Sequence, residues 1–164
     1  MLTLYPDQQV NFEQLRDAFR RHRAVLFQAP TGYGKTAIGC HIAAGAAARG
    51  TRTVFVVHRE ELIDQTCDAF ERCGIRHGVI APHARPTEHD IQVASVFTLA
   101  RRRVRAFDLV IFDEAHHCAA GSWECIRTTF PKAAYLGLTA TPVRLDGRGL
   151  AHAFETMLHA PSMR

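Results

Sequence analysis

The chain has 164 residues, of which 47% are hydrophobic and 22% charged, as expected for one globular domain with a sizeable buried core. No segment approaches the roughly 18 apolar residues of a membrane span, and the first residues lack the features of a signal peptide, so we expect no membrane partner. A net charge of +4 weakly favours a polyanionic partner. The five cysteines are odd in number and irregularly spaced, which predicts a reduced, cytoplasmic protein. We also expect the isolated chain to be a monomer.

Apolar and β-branched runs alternate with stretches of helix-forming residues along the whole chain. The pattern predicts helices over residues 7–23, 35–49, 59–72, 96–103, 122–130 and 150–158. It predicts strands over residues 24–29, 53–57, 78–81, 91–94, 109–113 and 134–138, with loops over 82–90 and 139–149. Because strands alternate with helices and no linker interrupts them, we expect one α/β domain over residues 1–164. Its mainly parallel central sheet should be covered by helices on both faces.

A glycine-rich turn lies between the first predicted strand and the helix that follows it. Residues Ala29 to Thr36 read Ala-Pro-Thr-Gly-Tyr-Gly-Lys-Thr, which is the pattern of a phosphate-binding loop with alanine in place of its first glycine. Such glycines let successive backbone N–H groups point into one concavity, and the helix adds the positive end of its dipole. Lys35 is placed to reach the β- and γ-phosphates, and Thr36 to ligate Mg²⁺. The loop residues predicted to bind a nucleotide are Thr31, Gly32, Tyr33, Gly34, Lys35 and Thr36.

A second motif, Asp-Glu-Ala-His, begins at Asp113 and ends the apolar run before it. Carboxylates at the carboxyl ends of parallel strands lie in the crevice where open α/β sheets bind ligands. Asp113 is predicted to hold the Mg²⁺ that Thr36 also contacts, and Glu114 to orient or deprotonate the attacking water. The predicted catalytic residues are therefore Lys35, Asp113 and Glu114.

Together the two motifs resemble motifs I and II of superfamily-two helicases and translocases, in the DEAH spelling. Other segments resemble further motifs of that family in the right order: residues 4–8 the adenine-reading segment, 58–65 motif Ia, 95–102 the next strand-and-loop motif, and 138–144 motif III. The pairs Asp146-Gly147 and Gly149-Leu150 resemble the duplex-DNA-oriented branch typified by RadD-like and UvsW-like proteins. The resemblance covers nearly the whole chain. It implies an N-terminal RecA-like ATP-binding domain with three layers, and ATP and Mg²⁺ as cofactors.

The resemblance also implies roles for individual residues. Gln8 would read the adenine, with Tyr5 available to stack on the base. Thr139 and Thr141 would bond to His116 or Asp113 and so couple the nucleotide site to the nucleic-acid site. The residues expected to contact the nucleic-acid backbone, which positions a strand without reading its sequence, are Arg59, Ser95, Thr98 and Arg101.

Several functional classes stay open on the sequence. The first is a nucleic-acid-dependent ATPase, either a helicase or a translocase, including the motor of a restriction-type translocase. The sequence does not settle DNA against RNA, and the resemblance favours duplex DNA. The second is a module that clamps nucleic acid without turnover, and the third is another phosphate-loop enzyme such as a kinase or a transporter ATPase. The family's second RecA-like domain, which carries arginine fingers, is expected to be absent from this chain and to act in cis or in trans. Arg144 and Arg148 are poor substitutes for such fingers, so the isolated chain should be nearly inactive.

Overall fold

The computed structural model describes residues 3–85, 87–117, 120–141, 150 and 153–161, which form a sheet covered by helices. The helices are α1 (Pro6–Ala18), α2 (Lys35–Ala47), α3 (Glu61–Arg72), α4 (Val96–Arg101) and α5 (Ala120–Thr129), with a 3₁₀ turn over Ala115–His117. The strands are β1 (Ala24–Gln28), β2 (Thr53–Val57), β3 (Gly78–Ile80), β4 (Ile91–Ser95), β5 (Leu109–Phe112), β6 (Ala134–Thr139) and β7 (Thr156–His159). No helix within these ranges has the length and apolar character needed to cross a bilayer.

The seven strands lie in the order β3-β4-β2-β5-β6-β1-β7, and every pairing between them is parallel. The predicted α/β class with a parallel sheet is therefore confirmed. Because all strands point the same way, their carboxyl ends meet at one edge of the sheet, where ligands bind in open sheets of this kind. β6 separates β1 from β5 at that edge.

Two apolar layers pack on opposite faces of the sheet, because successive side chains of a strand alternate between its faces. Phe27 of β1 packs in the layer under α1, α2 and α3, whereas its neighbour Leu26 packs in the layer under α4 and α5. Buried helix side chains complete the two layers, with Leu15, Ile38 and Phe70 on the first face and Leu99, Trp123 and Ile126 on the second. The result is the expected three-layer domain.

Helix α2 approaches the sheet closely at Gly39. A Cβ atom at this position would lie 2.7 Å from the Phe55 ring and 3.0 Å from a methyl group of Leu138. Glycine therefore lets the helix backbone rest on β2 and β6, and this contact fixes the height at which Lys35 and Thr36 stand over the sheet edge.

The predicted last helix is wrong. Residues Thr156–His159 form β7, which pairs in parallel with β1 at the edge of the sheet. The pairing is extended on both sides by bonds from the Glu155 N–H to the Ala24 carbonyl and from the Ala160 N–H to the Gln28 carbonyl, each 2.8 Å long. The sequence did not predict this strand because a half-buried edge strand of four residues shows little periodicity, and because its partner lies about 130 positions earlier in the chain.

Apolar spacing predicts that Val10, Leu15, Ala18 and Phe19 lie roughly on one buried face of α1, and this prediction is partly wrong. Val10 is 59% exposed, whereas the buried positions are Gln8, Asn11, Leu15 and Ala18. The polar pair lies at the amino-terminal end of the helix, where α1 meets the glycine-rich loop, so a search for apolar spacing could not find that contact. Of the two pairs that resemble the duplex-DNA-oriented branch, Asp146-Gly147 and Gly149 lie outside the described residues, whereas Leu150 is buried. Arg144 and Arg148 also lie outside the described residues.

Candidate functional site

The structure gathers the predicted site residues at the carboxyl edge of the sheet. The glycine-rich loop follows β1, the Asp113 motif follows β5, and Thr139 ends β6 between them. Arg59 follows β2, and Ser95 ends the neighbouring β4, where it stands opposite Val57 in the parallel register. Side chains far apart in sequence thus line one edge.

The glycine-rich loop has the backbone shape that its sequence predicts. Gly32 and Gly34 have φ values of 82° and 87°, in the left-handed region that favours glycine. Gly34 immediately precedes α2, so the amino end of that helix faces the loop. The loop is also held to the sheet, because the Ala29 N–H donates to the Thr139 carbonyl at 3.0 Å.

Lys35 joins the two sequence motifs. Its side chain is only 6% exposed, and the ammonium donates to the carbonyls of Ala29 at 3.3 Å and Pro30 at 3.4 Å. The same ammonium lies 3.4 Å from Oε1 of Glu114, so it reaches over the end of β6 to the acidic motif. A cation held among carbonyls and a carboxylate is already positioned where a phosphate group would meet the loop.

Glu114 is held in an unusual conformation with one oxygen unsatisfied. Its φ of 49° is the only positive value at a non-glycine residue in the described part of the chain. Such backbone strain persists where the surrounding structure enforces it, and it is concentrated at functional sites. Its Oε2 is buried and accepts no hydrogen bond from the described residues, although Nδ1 of His116 lies 3.4 Å away. This oxygen is a free acceptor for a water molecule.

Asp113 and Thr36 form a compact set of oxygen donors. The Thr36 hydroxyl donates to Oδ2 of Asp113 over 3.4 Å. Burial raises the pKa of Asp113 to about 6, and the negative charge of Glu114 adds to the rise, while Lys35 and the Thr36 bond oppose it. Carboxylate and hydroxyl oxygens suit Mg²⁺, and a divalent cation here would compensate the buried negative charge. The residues present therefore fit the expected metal.

Gln8 and Asn11 attach α1 to the loop. The Gln8 side chain accepts from the Tyr5 N–H at 2.9 Å and donates to the Tyr33 carbonyl at 2.7 Å, and the Asn11 amide donates to the Tyr33 hydroxyl. In this arrangement Gln8 fixes the loop, and its reading of adenine stays a prediction. Tyr5 is 74% exposed beside it. Asn11 was missed on the sequence, although its spacing of three from Gln8 places both on one helix face.

The expected contact between His116 and Thr139 is present. Nδ1 of His116 lies 2.9 Å from the Thr139 hydroxyl oxygen, which also bonds to both the carbonyl and the N–H of Thr141. Because the single hydroxyl proton points to the Thr141 carbonyl, Nδ1 of His116 must carry a proton and donate it. Thr141 takes part through its backbone rather than its hydroxyl, and Asp113 bonds to Thr36 instead.

A stack of three histidine rings runs from the end of β2 to the acidic motif. The rings of His58 and His117 stack with centroids 4.3 Å apart, and those of His117 and His116 lie 4.0 Å apart. Burial lowers the pKa of both His58 and His116, and the adjacent His117 lowers each further. Sequence reasoning missed this stack. The signal was that His58 and His117 each follow the end of a strand, and these strands are neighbours.

The residues expected to contact nucleic acid fall into two groups. Arg59, which follows β2 at the carboxyl edge, and Arg101, the last residue of α4, are both exposed. Ser95 is fully buried instead. Its hydroxyl accepts from the Thr98 N–H at 3.3 Å and donates to the Thr98 hydroxyl at 2.9 Å, so its side chain caps α4. Phe97, between them, is 54% exposed.

Known proteins resemble this chain in sequence, and others resemble it in fold. The family model described as "Type III restriction enzyme, res subunit" matches residues 1–144. The chain is 31% identical over 140 residues to a 51.5 kDa protein of a Lactococcus phage, an alignment that covers 84% of this chain and 28% of the phage protein. The chain spans less than a third of the length of the first curated relatives it matches.

Two solved structures have the same fold at low sequence identity. The UvsW helicase from bacteriophage T4 superposes with a TM-score of 0.77 at 16% identity, over 96% of this chain and 60% of that one. The SWI2/SNF2 ATPase core of Sulfolobus solfataricus, solved in complex with dsDNA, gives 0.73 at 17% identity, over 86% of this chain and 32% of that one. Both likenesses establish the RecA-like fold.

Proposed function

The chain belongs to the family of the type III restriction enzyme res subunit, as an N-terminal RecA-like domain of superfamily-two type, and we propose that it is the ATP-hydrolysing motor domain of a DEAH-type helicase or translocase. One observation carries the proposal. Lys35 of the glycine-rich loop and Glu114 of the acidic motif approach to 3.4 Å across the end of β6, beside the Thr36–Asp113 pair. This proximity supports assigning a phosphate-binding cation, a metal-binding pair and a candidate base to one site.

Each residue of the site has a distinct role in this proposal. The loop amides and Lys35 bind the phosphates, and Thr36 and Asp113 hold Mg²⁺, which when bound neutralises phosphate charge. Glu114 uses its unsatisfied Oε2 to orient the attacking water and to accept its proton. The bond from His116 to Thr139 then links this site to the end of β6. Because His116 also lies beside Glu114, a movement of Glu114 would shift His116 and, through it, Thr139.

We propose duplex DNA as the nucleic acid. The net charge of +4 and the exposed Arg59 and Arg101 favour a polyanion along the edge formed by β2 and β4. A structural neighbour was solved with dsDNA, and the resemblance to UvsW-like proteins supports the same choice. The proposed partner is a second RecA-like domain that closes over the nucleotide and supplies an arginine finger.

The nucleotide site is tested by titrating Mg²⁺–ATP into the wild-type protein and two lysine variants. Lys35→Ala removes a charge-assisted bond worth roughly 1.5–3 kcal/mol, so affinity should fall about tenfold to a hundredfold. Lys132→Ala removes the same charge from an exposed position and should leave affinity unchanged. Equal titrations for the wild type and Lys35→Ala would rule out the site.

The nucleic acid is tested by ATP hydrolysis in the presence of duplex DNA, single-stranded DNA or RNA, with the second domain present. We expect the strongest stimulation from duplex DNA, and we expect Arg59→Ala to weaken that stimulation. Arg76→Ala, which removes an exposed arginine elsewhere, serves as the matched control. Stimulation by RNA alone would reject the DNA assignment, and absence of any stimulation would favour a clamping module or an unrelated phosphate-loop enzyme.

A further inference from the structure

A cavity of about 190 Å³ lies away from the nucleotide site, between β3, β4 and the segment that follows α4. Arginines dominate its charged lining, and one glutamate opposes them. The lining side chains used below are Arg52, Arg102, Arg103, Arg105, Glu88 and Gln92. If the volume of a water molecule in the liquid is about 30 Å³, the space holds roughly six waters or one small oxyanion with a few waters.

Arg52 is the buried charge of this cavity. The residue is 8% exposed, its Nε donates to the Ala106 carbonyl at 3.2 Å, and its guanidinium lies 5.4 Å from the Phe107 ring centroid. Its Nη1 is buried and makes no hydrogen bond to any described residue. The Asp90 carboxylate, which is 59% exposed, lies 3.7 Å from Nη1, and the Asp108 carboxylate accepts from the Arg52 backbone N–H at 2.9 Å. A guanidinium stays charged at all physiological pH values, so this group has an open donor and an incompletely matched charge.

The other arginines of the lining give the cavity a net positive charge, and one of them is held in place by hydrogen bonds. Arg103 and Arg105 are exposed at its rim and form no ion pair with described residues. Arg102 is anchored to the carbonyls of Ala84 and Pro82. Four arginines against Glu88 leave a net charge of +3 on the lining, or +1 when the neighbouring Asp90 and Asp108 are also counted.

The Gln92 amide closes one side of the cavity. It donates to the carbonyl of His89 at 2.9 Å and to the carbonyl of Thr87 at 3.1 Å, and so holds the loop before β4 in place. Both amide hydrogens are thus used within the protein, and this wall is ordered before any ligand arrives, which lowers the cost of ordering it on binding.

We propose that this cavity binds a phosphate dianion, either free or as a terminal phosphomonoester. The planar fork of Arg52 would supply the buried donor, and Arg103 and Arg105 would close on the outer oxygens. The small volume favours a single phosphate group over a continuous backbone. Thr53 begins β2 directly after Arg52, whereas Asp113 follows the opposite end of the neighbouring β5. With about 3.3 Å of rise per residue, the cavity lies roughly 13–16 Å from the nucleotide site along the strands and is independent of it.

The test follows the Nε–H resonance of Arg52 by NMR during titrations at pH 7.5, with ionic strength held constant by chloride. The Nε–H is hydrogen bonded, which slows its exchange, and Arg52→Lys identifies its signal. All proteins carry Lys35→Ala, so that phosphate binding at the glycine-rich loop is weakened about tenfold to a hundredfold. Inorganic phosphate and methyl phosphate should give saturable shifts, and dimethyl phosphate, a monoanion, should bind at least about tenfold more weakly.

Paired variants decide the outcome. Arg103→Ala with Arg105→Ala alters only exposed side chains, so the fold should persist while the phosphate affinity falls about tenfold or more. Arg21→Ala with Arg76→Ala removes the same charge from exposed positions outside the cavity and should change affinity less than about twofold. A non-saturating shift, or equal losses in the two double variants, would overturn the proposal. Binding of dimethyl phosphate as tight as that of methyl phosphate would overturn the choice of a dianion.

Discussion

At the scale of single residues, Asp113 and Glu114 are adjacent carboxylates with different surroundings. Asp113 accepts from Thr36, whereas Glu114 pairs with Lys35 through one oxygen and keeps the other free. Glu114 also has a strained φ of 49°, and its side chain lies 3.4 Å from Lys35 of the glycine-rich loop. This difference supports a metal-holding role for the first residue and a proton-accepting role for the second.

Glu114→Gln should separate binding from hydrolysis. The amide keeps the shape of the side chain but cannot accept a proton, so nucleotide affinity should stay within a few fold. ATP hydrolysis should fall by about 10²–10⁴ in a protein that turns over. Glu124→Gln, at an exposed position on α5, is the control. Hydrolysis at the parental rate in Glu114→Gln would refute the assignment of the base.

Asp113→Asn should stabilise the protein without metal, and more so at high pH. Burial raises the pKa of Asp113 from its ordinary 3.8 to about 6, so between these pH values the folded state retains a proton that the unfolded chain has lost. The wild-type protein therefore loses stability as pH rises through this window, and asparagine removes that loss. Urea unfolding in EDTA should show a larger gain for Asp113→Asn at pH 8 than at pH 4.

The exposed Asp68→Asn provides the comparison for this measurement. It should show no comparable growth of its effect with pH. The same Asp113→Asn protein should lose the Mg²⁺-dependent part of its nucleotide binding, since the carboxylate ligand is gone. A gain in stability that is equal at both pH values would contradict the buried-charge explanation.

At the scale of elements, α1 and the glycine-rich loop are joined by a small polar contact within an apolar layer. Tyr33 receives two bonds from α1, one at its carbonyl from Gln8 and one at its hydroxyl from Asn11. Both helix residues are at least nine-tenths buried, so removing one partner leaves the other unsatisfied. The shape of the loop thus depends on a helix that contributes no residue to the phosphate-binding motif.

Asn11→Ala should destabilise the protein by about 1–3 kcal/mol, the cost of leaving a buried polar group unpaired. Tyr33→Phe removes the other side of the same bond, and the double variant should lose less stability than the sum of the two single variants. Urea unfolding of all four proteins gives the coupling free energy. Strict additivity would show that the Asn11–Tyr33 bond does not contribute to stability.

At the scale of the whole molecule, the parallel sheet divides its carboxyl edge between two kinds of residue. The glycine-rich loop and the acidic motif stand on β1 and β5, and the exposed Arg59 stands beyond them on β2. The histidine stack lies between these groups, whereas the His116–Thr139 bond joins the acidic motif to the end of β6, between β5 and β1. Nothing on this edge faces the loop from across a cleft, within the residues described, in the way an arginine finger would.

The chain alone should therefore bind nucleotide but hydrolyse it barely above background. A version that includes a second RecA-like domain, in cis or as a partner, should regain DNA-stimulated hydrolysis, because an arginine finger contributes about 10³–10⁵ in turnover. The measurement is the hydrolysis rate with and without duplex DNA for both proteins. Strong duplex unwinding by the monomeric chain alone would refute the prediction that a second domain is required.

The sequence by itself determined the features that depend on local chemistry. A short run of residues is enough to predict each of these features: the glycine-rich loop, six of the seven strands and the acidic motif. The continuous burial of apolar strands such as β2 and β5, and the left-handed glycines at Gly32 and Gly34, are consequences of the local chain. The family and the parallel sheet followed from the order of these runs.

The tertiary structure alone decided the contacts between distant runs. β7 forms because its backbone pairs with β1, a partner that no periodicity of its own residues reveals. Ser95 caps a helix instead of facing outward, and Gln8 forms a hydrogen bond to the loop. Both side chains are buried, so their polar atoms need hydrogen-bond partners within the protein. The Arg52 cavity and the histidine stack likewise exist only where neighbouring strands bring separate segments together.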